Sequence, residues 1–432
     1  MEQSTRFVGM DVHKDTIVVA VTATGEVGKA TAYGTFPNTA AGLEKLVKRL
    51  RQAGDGPIKF CYEAGRCGYG VHRSLTKMGE DCTVVAPSMI PRKPGERQKT
   101  DKRDAANLAV LHRGGLLTAV WVPDAAHEAM RDLIRARLAA VRAVRAARQQ
   151  LSAFLLRHER VYPGNRTPWT KAHRGWLADQ TFAQPVQQIV LEESIEAVRL
   201  SEQRRDRVES YLRAQIPSWS LFPLVRNLCA LRGLDIIASA GLAAAIGDPS
   251  RFATAPHFMA YLGMVPSEDT SGPRRRIGAI TKAGDIHART MLIEAAHSYR
   301  YPARIARHKL AAVDAVPEAV RAIAWKAQTR LCQRYRQMTA RGKLNQVVVT
   351  AIARELAGFV WSIACITSDP VVSDDIVTEL YGVETTLGYE VTMSPERLLN
   401  KSHRSRPPRA APAKRRRICK RKPEGMISHQ IG

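Results

Sequence analysis

The sequence predicts an α/β domain with a mixed sheet, followed by a long helical hairpin and a mainly α-helical C-terminal domain. Residues 6–123 alternate β-branched runs with segments of helical spacing. Residues 124–162 and 186–216 contain neither Gly nor Pro, which is typical of long helices. The chain has 432 residues and is 45% hydrophobic, so it can bury the cores of several domains.

The α/β domain is predicted from the order of its segments. Three β-branched runs come first, RFVGMDV, DTIVVAVTA and KATAYGTFPN. Residues 39–54 follow with leucines at helical spacing and a terminal glycine, Gly54. The remaining segments alternate as strand IKFCYE, helix GYGVHRSLTKMG, strand DCTVVAP and helix KRDAANLAVLHR. Three consecutive strands followed by this alternation predict a mixed sheet covered by helices.

The two Gly/Pro-free segments predict an antiparallel helical hairpin of the coiled-coil type, joined by a loop at about 163–185. Two ordinary core helices would have the same lengths. Residues 397–422 hold twelve Lys or Arg and no acid, so a disordered basic tail is expected. The predicted domains are residues 1–123, 124–216, 217–393 and 394–432.

The charge of the chain points to a polyanionic partner. Lys and Arg number 66 against 40 Asp and Glu, which gives a net charge of +26. Nucleic acid is the first candidate and an anionic membrane surface the second. No uncharged run reaches the ~20 residues of a membrane span, so no membrane partner is expected. The seven cysteines form no C-x-x-C pair, which fits a reducing cytoplasm.

Four carboxylates occupy positions that predict a metal site. Asp11 and Glu63 end strands, where ligands bind in open α/β sheets. Asp101 and Asp104 open a helix at positions i and i+3 and share one face, although Asp101 could be a simple helix cap. Asp15 is assigned to the turn between two strands. Four acids in a basic chain suggest Mg²⁺, and two such ions can hold both reacting oxygens of a phosphodiester.

A second group of residues lies in the segment TSGPRRR. Ser271 is followed by a glycine and a basic cluster, which suits a hydroxyl that meets a phosphodiester. A basic loop with a turn would explain the same residues. Nearby histidines do not single out a general base. The candidate phosphate-binding residues are Arg274, Arg275, Arg276, Lys282 and Arg289.

The motifs GMDVHKDTIVVAV, YEAGRCGYG and KTDKRDA resemble a bacterial family of insertion-sequence transposases. The members of that family pair a DEDD, RuvC-like N-terminal domain with a catalytic serine and are guided by a bridge RNA. The order of the predicted strands and helices also matches an RNase H-like fold. The resemblance implies that Asp11, Glu63, Asp101 and Asp104 form the metal-binding tetrad.

The C-terminal part extends the resemblance, which covers most of residues 6–368. The segment from Arg251 to Arg289 resembles the family's serine-containing domain, and Ser271 matches the catalytic position. Ser267 is the competing choice but lacks the following glycine. The segment LRGLDIIASAGLAAAIGD resembles the family's helix-hairpin-helix-like element, with Asp235 where a second glycine would be expected.

The resemblance implies a DNA transposase or recombinase that cuts and rejoins strands through Ser271 and Mg²⁺. The implied partners are DNA (element ends and target), a structured noncoding guide RNA and further copies of the chain. The acids and the serine would then meet across subunits of a dimer or tetramer, with the helical hairpin as the contact. A cytoplasmic, nucleoid-associated bacterial protein is expected. The alternatives are a metal-dependent Holliday-junction-type nuclease that uses water, and a nucleic-acid-binding protein without catalysis.

Overall fold

The computed structural model of this chain describes residues 4–26, 28, 30–91, 100–163, 167–272 and 274–368. The predicted basic tail, residues 394–432, lies outside the described residues, and so does the end of the predicted third domain. The described residues comprise the sheet domain, the helical hairpin and the helical domain up to residue 368.

A five-stranded mixed sheet confirms the predicted α/β layer. Its strands follow the order β3-β2-β1-β4-β5, in which β1, β2 and β3 pair antiparallel and β1, β4 and β5 pair parallel. The strands are β1 (Arg6–Val12), β2 (Thr16–Ala23), β3 (Thr31–Pro37), β4 (Ile58–Glu63) and β5 (Asp81–Val85). The helices of this domain are α1 (Ala40–Gln52), α2 (Gly70–Lys77) and α3 (Asp101–Arg113).

The two faces of the sheet are covered in different ways. On one face, Met10 and Phe60 pack with Leu46 of α1 and Leu75 of α2, and all four are fully buried. The opposite face carries α3. Burial of each of these apolar side chains contributes about 1.5–3 kcal/mol, and together they stabilise the packing of α1 and α2 on the sheet.

The predicted helical hairpin is present and antiparallel. It consists of α4 (Ala125–Arg157) and α6 (Pro185–Gln215). Arg148 forms an ion pair with Glu202, and Arg137 Nε donates to Glu209 at 2.9 Å, a pairing that requires opposite chain directions. The predicted loop at 163–185 is wrong in part, because it contains a short helix, α5 (Lys171–Ala178), which is capped by the Thr170 side chain.

The C-terminal part is helical, as predicted, but its basic segment forms a β-hairpin rather than a loop. The hairpin pairs β6 (Pro266–Ser271) with β7 (Arg274–Ile280). The helices are α7 (Phe222–Leu228), α8 (Ile236–Ile246), α9 (Ala255–Tyr261), α10 (Ile286–Ala296), α11 (Leu310–Asp314), α12 (Glu318–Ala340) and α13 (Asn345–Ser368).

Helix α13 corrects the expectation that no segment is long enough to span a membrane. Its 24 residues, with a mean hydropathy of 1.6 over the most apolar window, would suffice by length and composition alone. The charged pair Arg354 and Glu355 interrupts the uncharged run in the sequence but not the helix. Since 72% of that window is buried inside the protein, α13 serves as a core helix of this domain.

The six cysteines in the described part of the chain are all free thiols. Burial raises the pKa of Cys82 to about 12, so this thiol stays protonated at neutral pH. Cys67, in contrast, is exposed on the turn after β4, and its Sγ lies 3.6 Å from the carbonyl oxygen of Val12. This contact places the turn against the end of β1.

Candidate active site

The parallel pairing of β1 with β4 places two of the predicted acids side by side. Met10 lies opposite Tyr62 in this register. Asp11 and Glu63 are the next residues of the two strands, so they lie together at the carboxyl edge of the sheet. Because side chains alternate along a strand, both acids are on the face opposite the buried Met10 and Tyr62. That is the face covered by α3.

Helix α3 runs antiparallel to β1 and packs closely against it. The ring of His112, near the end of the helix, contacts the ring of Phe7 at 5.5 Å. Earlier in the helix, Ala105 lies over Gly9: a Cβ at position 9 would stand 2.1 Å from the Ala105 carbonyl oxygen. The absence of a side chain at Gly9 permits this approach. The N-terminus of α3 therefore lies at the carboxyl end of β1, where Asp11 is.

The first turn of α3 carries the other two acids toward the two strands. Asp101 lies one turn before Ala105, on the side of the helix that faces β1. Asp104 lies one turn before Leu108, whose carbonyl oxygen is 3.6 Å from Cys61 Sγ on β4. Positions four apart on a helix share a face. The register thus brings Asp101 to β1 and Asp104 to the β4 side.

Asp101 is not the cap of this helix, which removes the simplest structural explanation for it. Thr100 is the N-cap residue, and its Oγ1 accepts a hydrogen bond from the Arg103 backbone N–H at 3.4 Å. Asp101 occupies the first helical position, and 59% of its side chain is exposed. Its carboxylate is therefore available for another role.

His13 completes a close group that sequence reasoning missed. Its Nε2 lies 3.4 Å from Asp11 Oδ2 and 3.3 Å from Asp101 Oδ2, and the candidate ligand atoms of the three residues all lie within 4.8 Å of one another. Glu63 and Asp104 lie at the same edge but outside this group of three. The sequence does contain a signal for His13. Asp11 and His13 are two residues apart at the end of a strand, and alternate residues of a strand project to the same side.

The chemistry of these residues fits a divalent metal. Carboxylate oxygens are the ligands that Mg²⁺ prefers, and Mg²⁺ is held by few protein groups and several waters. Two carboxylates brought this close repel each other unless a cation lies between them. Asp15, by contrast, lies in the turn between β1 and β2, as predicted, and its carbonyl oxygen accepts from the Asn38 backbone N–H at 3.0 Å.

Ser271 lies at the exposed tip of the β6–β7 hairpin. It pairs with Arg274 across the hairpin, and Asp269 pairs with Arg276. Directly opposed residues and residues two apart project from the same face, so the two arginines and Asp269 share the face of Ser271. Gly272, with a φ of +56°, takes the first position of the two-residue loop, where a left-handed conformation favours glycine.

The competing serine is placed differently. Ser267 Oγ lies 2.3 Å from where a Cβ of Gly278 would be, so it packs across the hairpin onto that glycine. Lys282 is exposed after β7, as a phosphate contact requires. The Arg275 side chain lies outside the described part of the hairpin.

Arg289 does not have the exposed position that the predicted phosphate contact needs. It is 7% exposed, and its Nη1 donates to the carbonyl oxygens of Leu262 and Ala283 at 2.7 and 3.0 Å. The guanidinium therefore ties α10 to the loops before β6 and after β7.

Asp235 likewise has a structural role, because its Oδ1 accepts a hydrogen bond from the Ala238 backbone N–H at 2.8 Å and caps α8.

The serine hairpin and the acidic edge occupy separate parts of the chain. Among the described elements, β6 and β7 pair extensively only with each other, and no strand or helix of the sheet domain packs extensively against them. The structure therefore brings Asp11, His13 and Asp101 into one group, and no extensive packing between the described elements joins the Ser271 hairpin to that group.

Comparison with known proteins gives the family of the chain. The DEDD-type IS110 model, described as transposase, matches residues 8–159, and a model of the transposase IS116/IS110/IS902 family matches residues 225–309. The chain is 48% identical over 358 residues to the putative transposase y4qE of Sinorhizobium fredii, covering 83% of this chain and 88% of that protein. This chain belongs to the IS110 family of insertion-sequence transposases.

More distant relatives cover similar shares of the chain. The transposase for insertion sequence element IS1533 of Leptospira borgpetersenii is 28% identical over 342 residues, 78% of this chain and 97% of that protein. The probable family 20 transposase of Pseudomonas aeruginosa is 24% identical over 319 residues, 71% and 84% of the two chains. Membership of this transposase family makes the chain a DNA-processing enzyme. The first matched range also runs past the predicted boundary at residue 123 into α4.

Proposed function

We propose that this IS110-family transposase cuts and rejoins DNA strands with two groups of residues, an RNase H/RuvC-like acidic site and a serine nucleophile. The observation that carries the proposal is the close approach of Asp11 and Asp101 at the carboxyl edge of the sheet. The strand register and the first turn of α3 support Glu63 and Asp104 as the other two members of the acidic site. These acids come from three separate segments, and capping explains neither Asp101 nor Asp104. A mixed sheet with the order β3-β2-β1-β4-β5 supports the RNase H-like assignment.

The four acids would hold Mg²⁺, with a two-metal arrangement favoured by their number. When bound, such ions stabilise the charge that develops on the attacking and leaving oxygens of a phosphodiester. The chain contributes the placement of the carboxylates: the strand register fixes Asp11 beside Glu63, and the packing of α3 on Gly9 fixes Asp101 and Asp104. The backbone thereby sets the position from which each carboxylate would reach the metal.

Ser271 would supply the nucleophile. Its hydroxyl loses a proton, a bond forms between Oγ and phosphorus, and the phosphorus–oxygen bond to one sugar breaks, with that oxygen taking up a proton. The cut strand stays joined to the enzyme as a phosphoserine ester, and attack by a sugar hydroxyl of the new partner strand reverses the step. Arg274 and Arg276, on the same face of the hairpin, would hold the phosphate oxygens.

The separation of Ser271 from the acids supports a site that two subunits compose together. The hairpin tip of one chain would reach the acidic edge of another. Exposed apolar side chains on α6 support the helical hairpin as a contact between copies, since such residues gain from burial. They are Val186, Ile189, Leu200 and Tyr211, at 72%, 59%, 52% and 60% exposed.

A structured noncoding RNA is the proposed specificity partner, in a cytoplasmic protein that works on the bacterial chromosome. The net charge of +26 supports a chain that contacts the phosphates of two nucleic acids. Folded RNA is recognised largely through its phosphates and shape, while sequence is read by base pairing. The protein would then bind the RNA by its phosphates and shape, and base pairing by the RNA would select the target sequence.

A nuclease that uses water is the second candidate. The observation that favours it is the same separation, because the acidic edge needs no serine from its own chain to activate water. In that case Ser271 would be an exposed residue of a basic hairpin. The two candidates differ in whether a covalent intermediate forms.

The test is trapping of that intermediate. With a suicide substrate that carries an element end, the wild-type protein is expected to form an adduct that survives denaturation, with the DNA on Ser271 by peptide mapping. Ser271→Ala should lose both adduct and strand transfer, whereas Ser267→Ala should keep both. Absence of an adduct, with normal cleavage by Ser271→Ala, would establish the nuclease instead.

A second test concerns the acidic edge. Asp11→Asn is expected to lower Mg²⁺-dependent cleavage by at least about 100-fold while nucleic-acid binding persists, because an amide replaces a charged ligand. Asp15→Asn removes a carboxylate four residues away, in the turn, and should cleave normally. A folded Asp11→Asn protein with wild-type cleavage would remove Asp11 from the site.

A further inference from the structure

We propose that His13 is itself a metal ligand, so that the acidic edge binds its ion through one imidazole nitrogen and carboxylate oxygens. This inference rests on the metal site of the proposed function and adds a nitrogen ligand to it. The consequence is a preference for a first-row transition ion such as Mn²⁺ over Mg²⁺, because imidazole binds first-row transition ions better than it binds Mg²⁺.

The distances around His13 match those between ligands of one ion. Two ligands at about 2.1 Å from an octahedral ion, at right angles, lie about 3 Å apart. His13 Nε2 lies 3.3 and 3.4 Å from the nearest oxygens of Asp101 and Asp11, and all three ligand atoms lie within 4.8 Å of one another. A small movement of the side chains would bring all three to bonding distance of a common ion.

The backbone holds His13 in place for this role. Its N–H donates to the Thr16 carbonyl oxygen at 2.8 Å, and its carbonyl oxygen accepts from the Asn38 side chain at 2.8 Å. These bonds tie the turn after β1 to β2 and to the segment before α1. The side chain is 48% exposed, which leaves the imidazole open to an ion and a DNA phosphate.

An ion pair without metal is the competing explanation for the same distances, because a protonated imidazole could bridge the two carboxylates. The two explanations differ in what happens when an ion enters. A ligand nitrogen bonds to the ion, whereas an ion-pair partner is displaced by it. The identity of the atoms bound to the metal therefore decides between them.

The test uses the full-length protein with one equivalent of Mn²⁺ and no DNA. Electron spin echo envelope modulation detects a nitrogen bound directly to Mn²⁺, and ¹⁵N-labelled histidine changes the signal in the wild-type protein without any substitution. We expect a histidine nitrogen signal in the wild type and in the control Asp15→Asn, and its loss in His13→Gln. The Mn²⁺ affinity of His13→Gln should fall about tenfold or more, and its Mg²⁺ affinity by a smaller factor.

The possible failures are distinguishable. If Mn²⁺ binds, Asp11→Asn weakens that binding, and no histidine nitrogen is detected in the wild type, the role of His13 is overturned while the metal site stands. A nitrogen signal that persists in His13→Gln also overturns it, since another histidine would then be the ligand. If Asp11→Asn leaves Mn²⁺ binding unchanged, the acidic edge is not the metal site and the proposed function loses its metal centre.

Discussion

At the scale of single residues, the candidate site depends on a position with no side chain. Gly9 lies on β1 where α3 crosses, and the helix backbone occupies the space that a Cβ would take. The same helix carries Asp101 and Asp104 in its first turn. Gly9, which has no functional group, thereby determines how closely Asp101 and Asp104 approach Asp11.

Gly9→Ala is expected to destabilise the sheet domain by about 1–3 kcal/mol and to weaken metal binding as well. The added methyl group would lie 2.1 Å from the Ala105 carbonyl oxygen and 2.4 Å from the Ala109 nitrogen, so α3 must shift away from β1. Urea unfolding measures the first effect, and Mn²⁺ titration measures the second.

Gly175→Ala is the matched control for this substitution. Gly175 lies inside α5 with nothing within 4 Å of the added Cβ, and alanine favours a helix over glycine by up to about 1 kcal/mol. The control should therefore be as stable as the wild type or more stable. Unchanged stability and metal binding in Gly9→Ala would show that α3 does not depend on this contact.

At the scale of elements, the helical hairpin is fixed by a buried charge. Glu202 on α6 is 8% exposed and forms ion pairs with Arg148 of α4 and with Arg174 of α5, the latter at 2.9 Å. The Arg148 guanidinium also lies 4.7 Å from the centre of the Trp169 ring. One carboxylate thus joins all three helices, and removing it leaves two arginines without their partner.

Glu202→Gln is expected to destabilise the hairpin by about 2 kcal/mol, because hydrogen bonds to a charged group are lost in a largely buried place. Hydrogen exchange of the α4 and α6 amides measures the change locally. Glu196→Gln, which removes the exposed partner of Arg199 on the same helix, is the control and should leave exchange unchanged. Equal exchange in both variants would mean that the buried pair contributes nothing.

The same group predicts how acid affects the hairpin. Burial raises the pKa of the Glu202 carboxyl, but hydrogen bonds from Arg148 and Arg174 outweigh burial and hold the pKa below its usual value of 4.5. A lowered pKa stabilises the fold fully above pH 4.5, and this contribution is lost as pH falls through the lower, folded-state value. The protection factors of the α4 and α6 amides, which compare each observed exchange rate with the rate of an unfolded chain at the same pH, should therefore fall in acid for the wild type but much less for Glu202→Gln.

At the scale of the whole molecule, the charge is divided between the described part and the C-terminal tail. Residues 397–422 carry twelve basic residues and no acid. Ser271 and the acidic edge both lie before this segment. We therefore expect the tail to contribute to binding strength and not to the chemistry or to the choice of sequence, since phosphate contacts carry no sequence information.

Deletion of residues 397–432 is expected to weaken nucleic-acid binding without changing the preferred site. Each phosphate contact that is lost should lower the slope of log K against log salt concentration by about 0.9 for duplex DNA. Binding isotherms of the full-length and shortened proteins at several salt concentrations measure the slope. Equal slopes would show that the tail does not touch the nucleic acid.

The order of strands and helices in the sheet domain, the long hairpin helices and the candidate acids could all be predicted from the sequence. These follow from local periodicity, caps and composition, which neighbouring residues set. Tertiary contacts set the antiparallel direction of α3 on β1 across Gly9 and the approach of His13 to Asp11 and Asp101. Among the described elements, they leave the Ser271 hairpin without extensive packing on the sheet domain. Tertiary contacts also bury the Arg289 guanidinium, and residues 266–280 pair as a β-hairpin. These features depend on contacts between segments far apart in the chain, and local sequence patterns do not indicate which segments will be in contact.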